Sequence, residues 1–361
     1  MSHESESTVS RRLLEQALSR GVAALRHVQH ADGHWCAELE GDSILESEYL
    51  LMKFILHQEQ EPLEDGSGRE QLEKIAEGLR RQQRERGEWG QYPGSGGDIS
   101  ATVKAYFALK LMGDDPNSPP MVRAREYIRG HGGAEACNTF SMFYLACLGQ
   151  VPWKAVPAIP PEIILLPKWF YFHLTKVSAW TRTMIVPLAI VTTARPVRQL
   201  SADEGIDELF VDARQRNTLT FENEATPFWR WFFRTVDRAL KGLHHLGGTP
   251  FRKRALQQCT DWMTERMSQD EPAPTEGLGA IFPAMVYSQV ALMARGWPRS
   301  HPLIRRTERD LDAFFLNRSD GEAIKIQPCF SPVWDTGIAL YAMTEAGLDE
   351  QDPSVRSATA W

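Results

Sequence analysis

The chain has 361 residues, enough for two domains or one large helical domain. Hydrophobic residues make up 42% and charged residues 24%, a globular balance that argues against long disorder. The net charge of −7 is spread along the chain without a basic block, which argues against nucleic acid as a partner. The five cysteines (Cys36, Cys137, Cys147, Cys259, Cys329) are odd in number, far apart and free of any C-x-x-C, so they read as buried thiols in a reducing compartment. The opening MSHESESTVS has no apolar core and is not a secretory signal. The stretch from Ile159 to Leu174 is apolar but carries Glu162, Lys168 and His173; it is too short and too charged to span a bilayer, though it could rest on one.

A first helix is predicted over 8–28, with Leu13, Leu14, Ala17, Val22 and Leu25 on a helical period. Gln29-His-Ala-Asp-Gly33-His-Trp35 follows it, then an apolar helix over 46–57. A third helix, 72–83, ends in Gln83-Arg-Glu-Arg-Gly87-Glu-Trp89, before another at 99–112. Gln-x-x-x-Gly-x-Trp thus occurs twice at the same place in a helical hairpin, an internal repeat. Glycine suits the left-handed turn that ends a helix, tryptophan can stack over the turn, and glutamine can bond exposed helix ends. Thr102, Ala105, Ala108 and Gly113 recur at the spacing of Thr336, Ala339, Ala342 and Gly347.

Further helices are predicted over 120–130, 138–149, 177–192, 227–246, 252–267, 282–295, 302–316 and 335–346. Arg123, Arg125 and Arg129 read as a wet helix face, and Asp335 as a helix N-cap. Loops carry proline or glycine at 92–97, 114–120, 157–161 and 270–279, and 200–226 reads as a surface excursion. No long alternating strand pattern is present. The expected architecture is all-α, paired helices arranged as an α/α toroid.

At this point the chain resembles a known family. The two Gln-x-x-x-Gly-x-Trp motifs, Glu46-Ser-Glu48-Tyr49, Gly132-Gly-Ala-Glu135, Pro152-Trp153, Pro160-Pro-Glu162, Ser178-Ala-Trp180-Thr-Arg182 and Ser331-Pro-Val-Trp334-Asp-Thr336-Gly337 resemble, in order, stretches of squalene–hopene and oxidosqualene cyclases. The resemblance implies two α/α barrels, one inserted in the other. Residues 39–328 would be the inserted barrel; 1–38 and 329–361 would belong to a second, catalytic barrel of which only the edge is present. It also implies cyclisation of squalene to pentacyclic hopanoids, an isomerase reaction without metal or organic cofactor, by a monotopic protein on the cytoplasmic side of a bacterial membrane.

Protonating an alkene takes a strong acid in a dry cavity. The family's D-x-D-D-T-A motif does not occur here; Asp310-Leu-Asp312 is followed by Ala313, and Asp114-Asp115 lies in a proline-rich turn. The motif is expected beyond Trp361, so the chain alone is expected to be inactive. Aromatic faces stabilise carbocations without quenching them, by roughly 2 kcal/mol each when desolvated. By resemblance Trp180 and Trp334 are cavity candidates, with core packing the ordinary alternative. Ile281, Phe282 and Pro283 resemble a lining stretch at the end where the polycycle finishes, and otherwise read as a helix start. Glu48 and Tyr287 resemble a polar network at that same end; Glu48 otherwise reads as a solvated residue of an amphipathic helix. Gln29, Gly33, Trp35, Gln83, Gly87 and Trp89 are structural.

Other readings stay open: a split enzyme completed by a C-terminal partner chain, or a non-catalytic toroid that binds lipid or protein. A zinc-dependent prenyltransferase subunit would need ligands such as His244, His245, Cys259 and Asp261, which stand in no matching motif. For membrane contact, the candidates are 163–166 and 169–172.

Overall fold

The protein is described by a computed structural model. It describes residues 2–60, 68–212, 214–219, 226–267, 277–317, 321 and 323–361, of which 2–10 and 317 are described by their backbone alone. Residues 270–276 of the predicted loop at 270–279 and part of the 200–226 excursion lie outside these residues.

In chain order the helices are α1 (Ser2–Val28), α2 (Ser43–Ile55), α3 (Arg69–Arg81), α4 (Ile99–Met112), α5 (Pro119–Gly130), α6 (Thr139–Cys147), α7 (Ala179–Ala194), α8 (Pro227–His245), α9 (Arg252–Thr264), α10 (Phe282–Ala294), α11 (Pro302–Asp312), α12 (Pro332–Glu345) and α13 (Pro353–Ala360). Among the described residues the fold is all-α apart from one short antiparallel hairpin, β1 (Phe315–Asn317) with β2 (Ile324–Ile326). That hairpin corrects the helix expected over 302–316, which stops at Asp312. Strands of three residues are too short to show alternation.

The chain divides into two compact units, Met1–Leu39 with Phe330–Trp361, and Glu40–Cys329. In the larger unit the helices form two layers. The inner helices α2, α4, α6 and α10 are buried along nearly their whole length; their sequences are predominantly apolar, with a few charged residues such as Glu48 and Lys104 held inside. The outer helices α3, α5, α9 and α11 bury one stripe each, such as Leu72, Ile75, Ala76 and Leu79 of α3. Inner helix α2 packs on α4, α6 and α10, and α10 packs on α7. Helices α6 and α7 share the walls of a cavity.

The repeat has one stereochemistry in both units. Trp89 is fully buried; its indole N–H donates to the Leu79 carbonyl near the end of α3 (2.9 Å), and its backbone N–H donates to Thr102 Oγ1 of α4 (3.1 Å). Gln83 donates to the carbonyls of Gly87 (3.0 Å) and of Pro120 in the first turn of α5 (2.9 Å). In the smaller unit Trp35 bonds the Leu25 carbonyl (2.8 Å) and Thr336 Oγ1 (2.9 Å), and Gln29 bonds Gly33 (2.8 Å) and Ser354 (3.0 Å). So α1, α12 and α13 repeat α3, α4 and α5, and the recurrent Thr102 and Thr336 receive the two tryptophan amides. The smaller unit's core is Trp35, Ala339, Met343 and Ala358, with Val22, Leu25, Leu340 and Leu348 against it.

Asp335 is not an N-cap: Ser331 occupies that position, and Asp335 accepts from the Ala37 amide (2.9 Å) and Ser331 Oγ (3.0 Å). The 200–226 stretch is less of an excursion than expected. Ile206 and Leu209 are buried, and Glu208 receives Lys110 (2.7 Å) and the Tyr106 hydroxyl (2.9 Å). Arg129 is not simply a wet charge, since it donates to the Glu208 carbonyl at 2.9 Å.

Helix α2 also carries a pH-dependent element. Burial pushes the Glu46 carboxyl up to about 7 from its usual 4.5, although the Ile326 amide of β2 donates to it at 3.1 Å. Burial likewise raises its neighbour Asp42, the α2 N-cap, to about 6. Between the ordinary carboxylate range and these values the folded state holds more protons than the unfolded chain, so stability falls as pH rises through that window. Glu46→Gln is expected to stabilise the protein by on the order of 3 kcal/mol at about pH 8. Denaturant melts at acidic and mildly alkaline pH check this: a gain as large at acidic pH would contradict it.

Candidate active-site region

The polar centre of the larger unit is built from three inner helices. Glu48 of α2 is 3% exposed. One carboxylate oxygen meets Lys104 Nζ of α4 at 2.5 Å, and the other accepts the Tyr144 hydroxyl of α6 at 3.0 Å. The solvated alternative for Glu48 is therefore corrected. Leucines, Met52 and Phe54 surround it in α2, and no water-facing stripe is left for it. Lys104 also stands 6.0 Å from the Tyr144 ring centre, where the ring's negative face adds to the pairing.

Tyr287 of α10 completes this group through its rings, 6.2 Å from Tyr144 and edge-on to Phe143 at 5.2 Å. Burial first, and then the Glu48 charge, push both tyrosine hydroxyls well above their usual range, so both keep their protons as hydrogen-bond donors. Phe143 and Phe140 lead on to a cavity of about 240 Å³ between α6 and α7, whose walls are almost wholly apolar: Phe140, Phe143, Met184, Ile185 and Leu188 among them.

Ile281 and Phe282 are buried at the start of α10; Phe282 donates its amide to the Pro328 carbonyl (2.9 Å), and Pro283 sits in the first helical turn, half-buried. The turn before them passes close to α7. Gly279 has φ +72°, and a Cβ there would stand 2.9 Å from Thr183 Oγ1. Thr183 in turn donates to the Trp180 carbonyl at 2.8 Å. The 281–283 stretch and the Trp180 turn thus belong to one neighbourhood. The Trp180 ring itself is 62% exposed. Trp334, in the smaller unit, is 74% exposed, within an apolar face of α12 that includes Val333, Ile338 and Tyr341. Neither tryptophan is packed in the core of its own unit.

The acidic pairs are otherwise engaged. Asp310 pairs with Arg306 at 2.6 Å, Asp312 accepts the Tyr49 hydroxyl at 2.7 Å, and Asp114 is gripped by Arg80. Among the described residues no three His, Cys, Asp or Glu side chains converge as a metal set. Lys104, Tyr144, Phe140 and Phe143 were not singled out from sequence. The available signal was Lys104 itself, a cation in the middle of an apolar helix.

With this geometry in place, comparison with known proteins is informative. The model of the squalene–hopene cyclase N-terminal domain matches residues 18–320. The chain belongs to this family. It is 38% identical to squalene–hopene cyclase of Zymomonas mobilis over 96% of this chain and 51% of that one. It is 36% identical to squalene–hopene cyclase of Bradyrhizobium diazoefficiens over 99% and 52%. Dammaradiene synthase of Dryopteris crassirhizoma is 31% identical over 96% and 48%. The chain spans about half the length of these curated relatives.

Among the described residues no helix is long and apolar enough to cross a membrane. Residues 163–166 are half-buried in a short 3₁₀ turn (Pro161–Leu165) packed on α9, so they are not a free surface patch. Trp169, Tyr171 and Phe172 are exposed. A stronger patch, not singled out from sequence, is α8, which exposes Phe228, Trp229, Trp231, Phe233 and Val236.

Proposed function

We propose that this chain supplies the N-terminal part of a squalene-type triterpene cyclase. In this reading it shapes one end of the substrate cavity and does not provide the initiating acid. The observation that carries the reading is the buried Glu48–Lys104–Tyr144 group, joined through Tyr287 to an apolar cavity. A hydrocarbon substrate offers no hydrogen bond, so fixed polar groups of this kind serve water or the late cation near the end of the cascade. Trp180 and Trp334 are the proposed cation-facing rings. Their exposure supports this, because an aromatic face stabilises a cation strongly only once desolvated, and the half of the relatives' length that this chain does not span would cover them. The apolar face of α12 is the proposed seat of that half, in the same polypeptide or in a partner chain.

The test is to incubate the purified chain with squalene, alone and together with the C-terminal half of the Zymomonas mobilis relative, and to analyse extracts by gas chromatography–mass spectrometry. Cyclised product is expected only from the mixture. Cyclisation by the chain alone would overturn the reading, and so would none from a mixture shown to associate. The cavity between α6 and α7 favours a second reading, an isoprenoid-holding domain without catalysis; that predicts squalene retained by the chain and recovered unchanged from the associated mixture.

Membrane contact is proposed through α8. Phe228, Trp229, Phe232, Phe233 and Val236 lie on one arc and Arg230, Arg234, Arg238 and Lys241 on the opposite one, with Trp231 beside Arg238 at the edge of the basic arc, a pattern that suits a helix lying in the plane of an interface.

A further inference from the structure

We propose that the cleft between the basic flank of α8 and the turn at Lys154 binds a phosphate-bearing anion, the headgroup phosphate of an anionic lipid. This rests on the reading of α8 as an interfacial helix and adds a site to it. The cleft has a volume of about 320 Å³ and is lined by Lys154, Thr218, Arg234, Asp237, Arg238 and Lys241, among others. Four cations thus face one carboxylate, in a protein whose net charge is −7.

That carboxylate is already committed. Asp237 is buried, and it accepts the Ala158 amide at 2.8 Å and Lys241 Nζ at 2.6 Å. Lys241 also donates to the Lys154 carbonyl at 2.8 Å. These bonds fasten α8 to the 154–158 segment and fix the wall of the cleft. Lys154, Arg234 and Arg238 are exposed, and their side chains have no ion-pair partner among the described residues. Their attraction for an outside anion is therefore not spent within the protein.

The placement matches a headgroup. Arg234, Arg238 and Lys241 follow one another at helical spacing, on the side of α8 away from Phe228, Trp229, Phe233 and Val236, with the exposed Trp231 at the edge of that basic side beside Arg238. When the aromatic arc enters the acyl boundary, the basic flank stands at the depth of the phosphates. Guanidinium groups match phosphate geometry with two parallel donors, and Thr218 adds a hydroxyl at the rim.

The experiment is flotation of the full chain with vesicles of phosphatidylcholine alone and of phosphatidylcholine mixed with phosphatidylglycerol, at low and high salt. Wild type is expected to bind the anionic vesicles on the order of 100-fold more tightly, with the difference lost in high salt. The double variant R234Q/R238Q, shown to be folded by circular dichroism, is expected to lose roughly 30-fold of that preference. It should still bind neutral vesicles as wild type does. Equal binding of wild type to both vesicles, or a preference unchanged in the double variant, would overturn the site while leaving the interfacial reading of α8 intact. Binding to neither vesicle would overturn both. Nuclear magnetic resonance titration with inorganic phosphate separates the sources: phosphate held in solution as tightly as anionic vesicles would mean that the ligand is a free phosphate and not a lipid.

Discussion

Lys104→Met is expected to destabilise the larger unit by about 3–5 kcal/mol. Lys104 and Glu48 are both almost wholly buried and meet at 2.5 Å, with Tyr144 as the other donor to the carboxylate. Taking two charges out of water is costly, and their attraction in a weakly polar interior offsets that cost only while both are present. Methionine fills much of the space of the lysine stem, so the loss isolates charge from volume. It leaves Glu48 inside with a single phenol donor. The double variant Glu48→Gln/Lys104→Met removes the stranded charge and is expected to recover most of the loss, because an apolar pair of similar volume can replace a buried ion pair at little net cost. Denaturant melts of both single variants and the double one give the coupling directly. A single-variant loss below about 1 kcal/mol, the size typical of exposed pairs, would mean that water reaches the pair.

This group also marks where sequence reading stops. The hairpin repeat was legible because it is local chemistry. Gln83, Gly87 and Trp89 act on the helix that ends just before them and the two that follow. The recurrence of Thr102 at Thr336 was legible too, but its role as acceptor of the tryptophan amide needed the packed helices. Glu48 could be placed on an apolar helix, yet its partners lie 56 and 96 residues away, and no periodicity reports such a pairing. Exposure was equally hidden. A helix such as α8, with most of its aromatics on one arc and its basic residues on the other, reads in sequence like any outer helix with a buried stripe; only the fold leaves that stripe uncovered. The exposure of Trp180 and Trp334 was hidden for the same reason, since large aromatics are usually interior. Resemblance named these residues, but their exposure belongs to the packing.

Trp89→Ala is expected to cost the larger unit about 3–5 kcal/mol, as large core truncations do. The indole is fully buried and donates to the Leu79 carbonyl, while the backbone amide of Trp89, which alanine keeps, bonds Thr102 of α4; removal of the side chain leaves a void and a Leu79 carbonyl with the Gln82 amide as its donor. Trp89→Phe separates these effects. It keeps most of the volume and removes the indole donor, and its expected cost is about 1–3 kcal/mol. Gly87 tests the same turn from the backbone. It sits at φ +90°, and a Cβ there would lie 2.5 Å from the Ala124 amide nitrogen of α5, so Gly87→Ala meets both strain and a backbone that cannot step aside. Gly33 stands in the same conformation against Ser357 of α13, so Gly33→Ala should weaken the smaller unit in the same way. Hydrogen exchange resolves the two: Gly87→Ala is expected to speed exchange in α3, α4 and α5, and Gly33→Ala in α1, α12 and α13. Slowing or no change in those helices, with losses elsewhere, would show that the motif does not staple its own hairpin. In that case the shared bonding of Trp35 and Trp89 would be a resemblance of geometry without a common mechanical role.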